Sequence, residues 1–119
     1  MSYISNIEDI KKCPTEFALA LRDTLNVLSG KWKLNVIGVL FFGKKRFTEI
    51  EKGLEEITPR MLSKELKELE LNGVVNRIVT ASRPVVIEYE LTESGYELKK
   101  VLDEMIGWGI LHREKIFKK

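Results

Sequence analysis

The stretch ITPRMLSKELKELELNGVVNR, residues 57–77, predicts a helix over residues 58–72 whose two sides differ in chemistry. Leu62, Leu66 and Leu69 recur at the spacing of one helical face, so that side is expected to lie in a core. The other side remains available to solvent or to a partner.

Both ends of this predicted helix carry local signals. Thr58 is a favourable N-cap, because its hydroxyl can accept a hydrogen bond from a free amide of the first turn. Pro59 follows at the first helical position, where its missing N–H would be unpaired in any case. Gly73 can take the left-handed conformation that ends the helix.

The side opposite the leucines is basic. At about 100° per residue, Arg60, Ser63, Lys64 and Lys67 fall on that side. A helix exposed only for solubility would intersperse acids and bases, whereas a face that approaches two phosphate ridges has to exclude carboxylates. The acids of the helix are predicted on its flanks: Glu65, Glu68 and Glu70.

The composition is that of a single soluble globular domain. The chain has 119 residues, of which 44% are hydrophobic and 32% charged. Its net charge is +2, from 20 lysines and arginines against 18 aspartates and glutamates. Because this total neither requires nor excludes nucleic acid, the argument for a polyanionic partner depends on where the positive charges lie.

The same counts disfavour several kinds of site. One cysteine and one histidine can form neither an intrachain disulfide nor a tetrahedral zinc site, and no cofactor is expected. The longest apolar run, VIGVLFF at residues 36–42, is far too short to cross a bilayer. The N-terminus lacks the features of a signal peptide, so we expect a cytoplasmic protein with no membrane partner.

The patterns along the chain predict an α+β fold that is mainly α, a winged helix-turn-helix domain over 13–119 with its DNA-binding core over 31–91. Helices over 13–30 and 92–115 extend that core at its two ends. The predicted elements are a flexible leader over 1–12, a helix over 13–30, a second helix in KWKLNVIGVLFFG, a connector or edge strand in KKRF, a third helix opened by Thr48, the helix over 58–72, a hairpin whose wing is 80–86, and a last helix capped by Thr92.

In this fold the helix over 58–72 is the recognition helix and is predicted to enter the major groove. Arg60 lies in its first turn, where base contacts concentrate, and can offer a bidentate fork to a guanine. Ser63 and Lys64 are candidates for base or phosphate contacts, and Lys67 for the backbone.

Two further regions support the same footprint. Thr48 and the first amides of the third helix can bind phosphate, and Lys45 and Arg46 place positive charge just before them. Arg83, at the wing tip, is placed to enter a minor groove or to contact the backbone. The alternative is that these cations form an ordinary solvated surface. The predicted DNA-contacting residues are Arg60, Ser63, Lys64, Lys67, Thr48, Arg46, Lys45, Pro59, Arg83 and Ser82.

Several motifs recur in the order found in a known family. They are CPTE (13–16), LSGKWKLNVIGVL (28–40), KRFTEIEKGLEEITPRMLSKELKELELNGVVNR (45–77), EYELTESG (88–95) and WG (108–109). From Cys13 to about His112 the chain resembles the HxlR-type transcriptional regulators, relatives of the MarR-type winged-helix proteins. It departs from the pattern in SGKW, where a double glycine is commoner, and in a wing with a single proline.

The resemblance implies a homodimeric bacterial or archaeal repressor or activator that binds an inverted-repeat operator through paired first and last helices. The last helix supports this, because its apolar residues cover an arc of about 200°, broader than one core requires. The alternative is a last helix covered wholly by its own chain. His112 is expected at the same interface. The predicted interface residues are Phe17, Leu21, Leu98, Val101, Leu102, Met105 and Trp108.

Cys13 is a candidate redox sensor. It lies at a predicted helix N-terminus and follows Lys11 and Lys12, and both features favour the thiolate. The resemblance implies the same role, because the matching cysteine senses oxidants or electrophiles in some members. A disulfide could form only to another subunit or to a small thiol, and alkylation is the other route. The alternative is a cysteine packed as a small apolar group.

The second helix contains three residues with less specific assignments. Trp32 is expected in the core, and the resemblance implies that a nearby pocket could take an aromatic effector. Lys31 and Lys33 receive no role beyond solubilising this helix.

Two other functions compete with DNA binding. A winged-helix module that binds protein would tolerate acids on the recognition face and would not need Arg83. A thiol enzyme using Cys13 would need a base and oxyanion donors at the sulfur, and the single histidine is assigned to another helix. The basic face therefore favours a DNA-binding regulator that is not an enzyme.

Overall fold

The computed structural model describes residues 14–117. Within that range the elements are α1 (Pro14–Leu28), α2 (Lys33–Leu40), β1 (Lys45–Arg46), α3 (Phe47–Gly53), α4 (Pro59–Leu71), β2 (Val75–Thr80), β3 (Val86–Leu91) and α5 (Glu93–Phe117). Their order confirms the predicted α+β, mainly α, winged helix-turn-helix. The predicted leader over 1–12, Cys13 and the end of the predicted domain at 118–119 lie outside the described residues.

The core is built around α2, which is apolar almost all round. Val36, Ile37 and Leu40 of this helix are fully buried, and Trp32 just before it is buried as predicted. Each large apolar side chain removed from water contributes about 1.5–3 kcal/mol. The other buried apolar residues come from the elements and turns that surround α2: Leu28, Ile50, Ile57, Leu62, Leu66, Leu69, Val74, Val75 and Leu91.

Three antiparallel strands form a small sheet in the order β1-β3-β2. In the hairpin, Thr80 pairs with Val86, so residues 81–85 form the connecting loop. On the other edge of β3, Arg46 pairs with Glu88. The predicted hairpin is therefore confirmed, and Lys45 and Arg46 of the KKRF segment form an edge strand.

Several helix ends differ from the prediction, and α1 ends at Leu28 instead of at 30. α2 is shorter at both ends, because residues 30–32 form a bend in which Gly30 has a φ of +102°, and the helix ends at Leu40 instead of at Gly43. At the other end of the chain, α5 continues to Phe117 instead of ending at 115. Its start is as predicted, because Thr92 Oγ1 accepts the Gly95 N–H at 3.0 Å.

The helices α1 and α5 extend away from the core. α5 has 25 residues, which gives a length of about 37 Å at 1.5 Å per residue. It packs on the core through Leu98 and Leu102 near its N-terminal end. The radius of gyration is 17.5 Å, whereas a compact domain of this size would have roughly 13 Å. Part of α1 and part of α5 are therefore not packed against the chain's own core.

Residues 14–117 contain no helix that is long and apolar enough to cross a membrane. Among the same residues, no group of three or more histidine, cysteine, aspartate or glutamate side chains is arranged to hold a metal ion.

Candidate nucleic-acid interface

The helix α4 begins and ends at the signals predicted from the sequence. Thr58 is extended, with φ −84° and ψ 156°, and its Oγ1 accepts the Met61 N–H at 3.2 Å. Pro59 occupies the first helical position. Gly73 has a φ of +75° immediately after the C-terminal turn. This cap places Arg60 in the first turn, where its side chain is exposed.

The two faces of α4 are separated as the sequence predicts. The leucines of one face are buried among α2 and the other core residues. On the opposite face the residues predicted to contact DNA are exposed, and each of them is either positively charged or neutral and polar. Those exposed residues are Arg60, Ser63, Lys64 and Lys67.

The flank prediction is wrong for one acid, because Glu65 is buried. The side chains of Lys33 and Glu65 are each 11% exposed, and Lys33 Nζ lies 3.2 Å from Glu65 Oε1. The same ammonium lies 2.5 Å from Glu68 Oε2, and the Glu68 side chain is 39% exposed. Lys33, which the sequence left unassigned, therefore joins α2 to α4.

The spacing of the buried residues contains the signal for this ion cluster. Lys33 precedes the buried Val36, Ile37 and Leu40 by three, four and seven residues, so it lies on the same stripe of α2. Glu65 likewise falls within the leucine stripe of α4. Two opposite charges, each within a buried stripe, indicate a buried ion pair, because an unpaired buried charge is strongly disfavoured.

The ion pair between Lys33 and Glu68 favours the charged form of both side chains. The hydrogen bond from Lys33 lowers the pKa of Glu68 below its ordinary value of 4.5, and the charge of Lys64 adds to that lowering. The hydrogen bond to Glu68 raises the pKa of Lys33, although burial opposes the rise. The outward cations of α4 thus lie next to a partly neutralised acidic flank.

The start of α3 corrects one predicted phosphate site. α3 begins at Phe47 and not at Thr48, because Arg46 is the N-cap and its backbone N–H donates to Glu49 Oε1 at 2.8 Å. A carboxylate therefore already lies at the N-terminal end of this short helix, on the amide of its N-cap residue. The side chains of Arg46 and Thr48 are exposed, and that of Lys45 is half-buried.

The wing presents its predicted residues at an exposed tip. Ser82 and Arg83 are both exposed, and the Ser82 hydroxyl donates to the Pro84 carbonyl at 3.0 Å. Farther down the wing, Lys44 Nζ lies 3.9 Å from Glu88 Oε1. That ion pair links the segment before β1 to strand β3. Arg83 is not part of it and remains exposed at the tip of the wing.

The predicted dimer residues divide into two groups. Leu98 and Leu102 pack against the core, and Phe17 is half-buried. Leu21 is 61% exposed and Trp108 is 66% exposed. His112 stacks on the Trp108 ring, with centroids 4.5 Å apart. The exposed large apolar residues of α1 and α5 are Leu19, Leu21, Leu25, Tyr96, Val101, Met105, Ile106, Trp108, Ile110, Leu111, Ile116 and Phe117.

A mostly apolar groove of about 480 Å³ runs along the outer side of α2. Its polar lining residues are Asn35 and Lys45, and its apolar wall includes the exposed Phe42. Trp32 does not line this groove, because its ring is buried in the core. The groove is therefore not the pocket beside Trp32 that the family resemblance implied.

Comparisons with known proteins agree with this geometry. The family model for the HxlR-like helix-turn-helix matches residues 27–117. YtcD, an HTH-type transcriptional regulator of Bacillus subtilis, is 39% identical over 102 residues, which are 86% of this chain and 81% of that protein. The crystal structure of YtcD matches with a TM-score of 0.74 and 43% identity, covering 77% of this chain and 94% of that one.

Two redox-related structures are similar as well. The reduced form of the regulator YodB from B. subtilis has a TM-score of 0.73 and 35% identity, covering 83% of this chain and 93% of that one. The oxidised form of the redox regulator HypR has a TM-score of 0.68 and 42% identity, covering 82% and 94%. YodB is also known in a diamide-treated and a quinone-bound form.

Proposed function

Because the chain belongs to the HxlR-like helix-turn-helix family of transcriptional regulators, we propose that it binds an inverted-repeat DNA operator as a homodimer, with α4 of each subunit in a major groove. The observation that supports this docking is the exposed basic face of α4, opposite its buried leucines. A protein-binding winged helix would have no need for such a face.

On this proposal the residues of α4 divide into reading and anchoring groups. Arg60 donates a bidentate pair of hydrogen bonds to a guanine edge, which fits its place in the first turn. Ser63 and Lys64 contact bases or phosphates one turn farther on. Lys67 holds the DNA backbone and carries no sequence information.

Side chains supply the phosphate contacts at the start of α3. Because the Glu49 carboxylate lies at this helix end, where it accepts the Arg46 N–H, it would repel a phosphate there. We therefore assign these contacts to the side chains of Lys45, Arg46 and Thr48. Arg83 and its neighbour Ser82 extend the footprint to the flanking minor groove or backbone.

The homodimer uses the exposed apolar surfaces of α1 and α5. Contiguous apolar surface of this kind marks an interaction site, and Trp108 and Leu21 lie within it. Pairing of α5 with its copy would place the two recognition helices on half-sites about one DNA turn, or ~34 Å, apart.

An electrophoretic shift with the upstream intergenic DNA tests the proposal. We expect a discrete complex at nanomolar protein that excess unrelated DNA does not remove. If unrelated DNA competes as well as the intergenic fragment, sequence-specific binding is excluded and the protein-binding module becomes the better account.

Regulation by thiol chemistry at Cys13 is a second element of the proposal. Its support is the flanking Lys11 and Lys12 and the likeness to HypR, a redox regulator, and to YodB, known in a quinone-bound form. Diamide would take two electrons and two protons from a pair of thiols and leave a disulfide. The pair would be the Cys13 thiols of the two subunits, or Cys13 and a small thiol. A quinone would instead form a carbon–sulfur bond with the thiolate.

The variant Cys13→Ser separates this chemistry from DNA binding itself. We expect it to bind the operator like the natural protein and to stay bound after diamide or quinone treatment. Equal release of both proteins by these reagents would exclude Cys13 as the sensor.

A further inference from the structure

The ion cluster between α2 and α4 lies directly behind the face that meets DNA. Lys33 Nζ contacts Glu65 Oε1 at 3.2 Å and Glu68 Oε2 at 2.5 Å. Two carboxylates therefore converge on one ammonium. Because Lys33 and Glu65 are buried, the cluster is fixed in the packing between the two helices.

Lys64 and Glu68 are neighbours on the surface of α4. Residues four apart on a helix lie on adjacent turns of the same side and can form an ion pair. The charge of Lys64 acts on Glu68, since it contributes to the lowered pKa of that carboxyl. Yet among the described residues the short ion pair of Glu68 is made with Lys33 and not with Lys64.

We propose that Lys33 is a positioning residue for DNA binding, which holds the Glu65 and Glu68 carboxylates against α2 and so leaves the Lys64 ammonium free for a phosphate. This inference rests on the proposed placement of α4 in the major groove. Lys33 itself touches no DNA.

Removal of the Lys33 charge would change the basic face in two ways. The Glu68 carboxylate would turn to Lys64, its only cationic neighbour one helical turn away on α4. The local charge of the cluster would also change from −1 to −2, which repels phosphate. Each phosphate contact makes the slope of log K against log salt more negative by about 0.9, which corresponds to about fivefold in affinity at about 0.15 M salt relative to about 1 M.

The test compares Lys33→Met with Lys33→Met/Glu68→Gln in operator binding over a salt series. Met keeps the length of the side chain without its charge. For the single variant we expect the magnitude of the salt slope to fall by about 0.9, the value of one phosphate contact. The affinity should fall by about fivefold or more at about 0.15 M salt. The double variant should regain most of both, because the glutamine carries no charge to pair with Lys64 or to repel phosphate.

The matched control is Lys31→Met, which removes the same charge two residues away. The Lys31 ammonium lies over the Trp32 ring, at 5.2 Å from its centroid, so its loss should leave the salt slope unchanged. Circular dichroism at the binding temperature establishes that each protein is folded. If Lys33→Met does not fold, the pair Lys33→Met/Glu65→Gln and Lys33→Met/Glu65→Gln/Glu68→Gln gives the same comparison without a buried unpaired charge.

Two results would overturn the inference. One is a folded Lys33→Met protein with the natural salt slope, and the other is a lowered slope that Glu68→Gln does not restore, which would indicate a purely structural role. Failure of the natural protein to bind the operator specifically is a different outcome, because it removes the proposed function itself.

Discussion

A Cβ atom on Gly95 would lie 2.5 Å from the backbone carbonyl oxygen of Val74. The first turn of α5 therefore packs directly on the chain that enters β2. Thr92 strengthens the same junction, because its hydroxyl donates to the Gly73 carbonyl at 2.7 Å and accepts the Gly95 N–H. This contact fixes the angle between the wing and the helix that we assign to the dimer.

Gly95→Ala should destabilise the protein. The methyl group would collide with the Val74 carbonyl and with the side chain of Leu91, and overpacking of this kind costs about 1–3 kcal/mol. The better helix propensity of alanine offsets up to about 1 kcal/mol. Urea unfolding at fixed protein concentration should show a net loss, whereas Gly38→Ala, where a Cβ meets nothing within 4 Å, should show none.

Thr58→Ala should weaken the start of the recognition helix. The Thr58 hydroxyl accepts the Met61 N–H at 3.2 Å, and loss of such a cap costs about 1 kcal/mol. Because Arg60 lies in the same turn, operator affinity should fall as well. Thr58→Ser keeps the acceptor and is the control, so equal losses in the two variants would mean that the cap is not the cause.

Local signals account for the parts of the fold that the sequence predicted well. The limits of α4 follow from Thr58, Pro59 and Gly73, each of which acts within a few residues of its own position. The hairpin follows from alternating β-branched residues on either side of a turn. Such features depend little on the rest of the chain, and for that reason sequence patterns capture them.

The misplaced residues depend on contacts between distant segments. Glu65 looks like a flank residue of an isolated helix, and only the packing of α4 on α2 brings Lys33 within 3.2 Å of it. The start of α3 moved for a related reason, because Glu49 caps the Arg46 amide while Arg46 pairs with β3. The length of α5 that the core of the chain covers also depends on tertiary packing. The periodicity of the sequence carries no information about that packing.

Arg60→Ala and Lys67→Ala should weaken DNA binding in different ways. Arg60→Ala should cost about 1–3 kcal/mol and relax the choice of base at one operator position, because it removes the guanine contact that we propose for Arg60. Lys67→Ala should weaken binding to all sequences and lower the salt slope by about one. Binding to a set of single-base operator variants distinguishes the two. Unchanged operator affinity in both variants would contradict the docking of α4.

Trp108→Glu should prevent dimer formation. Trp108 is 66% exposed on α5 and stacks on His112, and a carboxylate there would be buried unpaired if two copies of α5 meet. Sedimentation at micromolar protein should show a monomer. Phe42→Glu, at an exposed apolar side chain that belongs to neither α1 nor α5, should remain dimeric. A dimeric Trp108→Glu protein would place the interface elsewhere.

Glu68→Gln should remove a pH-dependent contribution to stability. The hydrogen bond from Lys33 lowers the pKa of Glu68 below 4.5 in the folded protein. A lowered pKa means that the ionised carboxylate stabilises the fold above about pH 4.5 and that this contribution disappears as the pH falls through the lowered value. The raised pKa of Lys33 adds no change in this window, since its contribution is lost only above 10.5.

Urea unfolding of the natural protein and of Glu68→Gln from about pH 7 to about pH 3 measures this contribution. The natural protein should be the more stable of the two near neutrality, and the difference in the free energy of unfolding should shrink towards zero in acid. Glu70→Gln, which removes an exposed acid from the same helix, controls for the loss of one charge from α4. A difference that stays constant over the whole range would show that the Lys33–Glu68 ion pair does not contribute to folding.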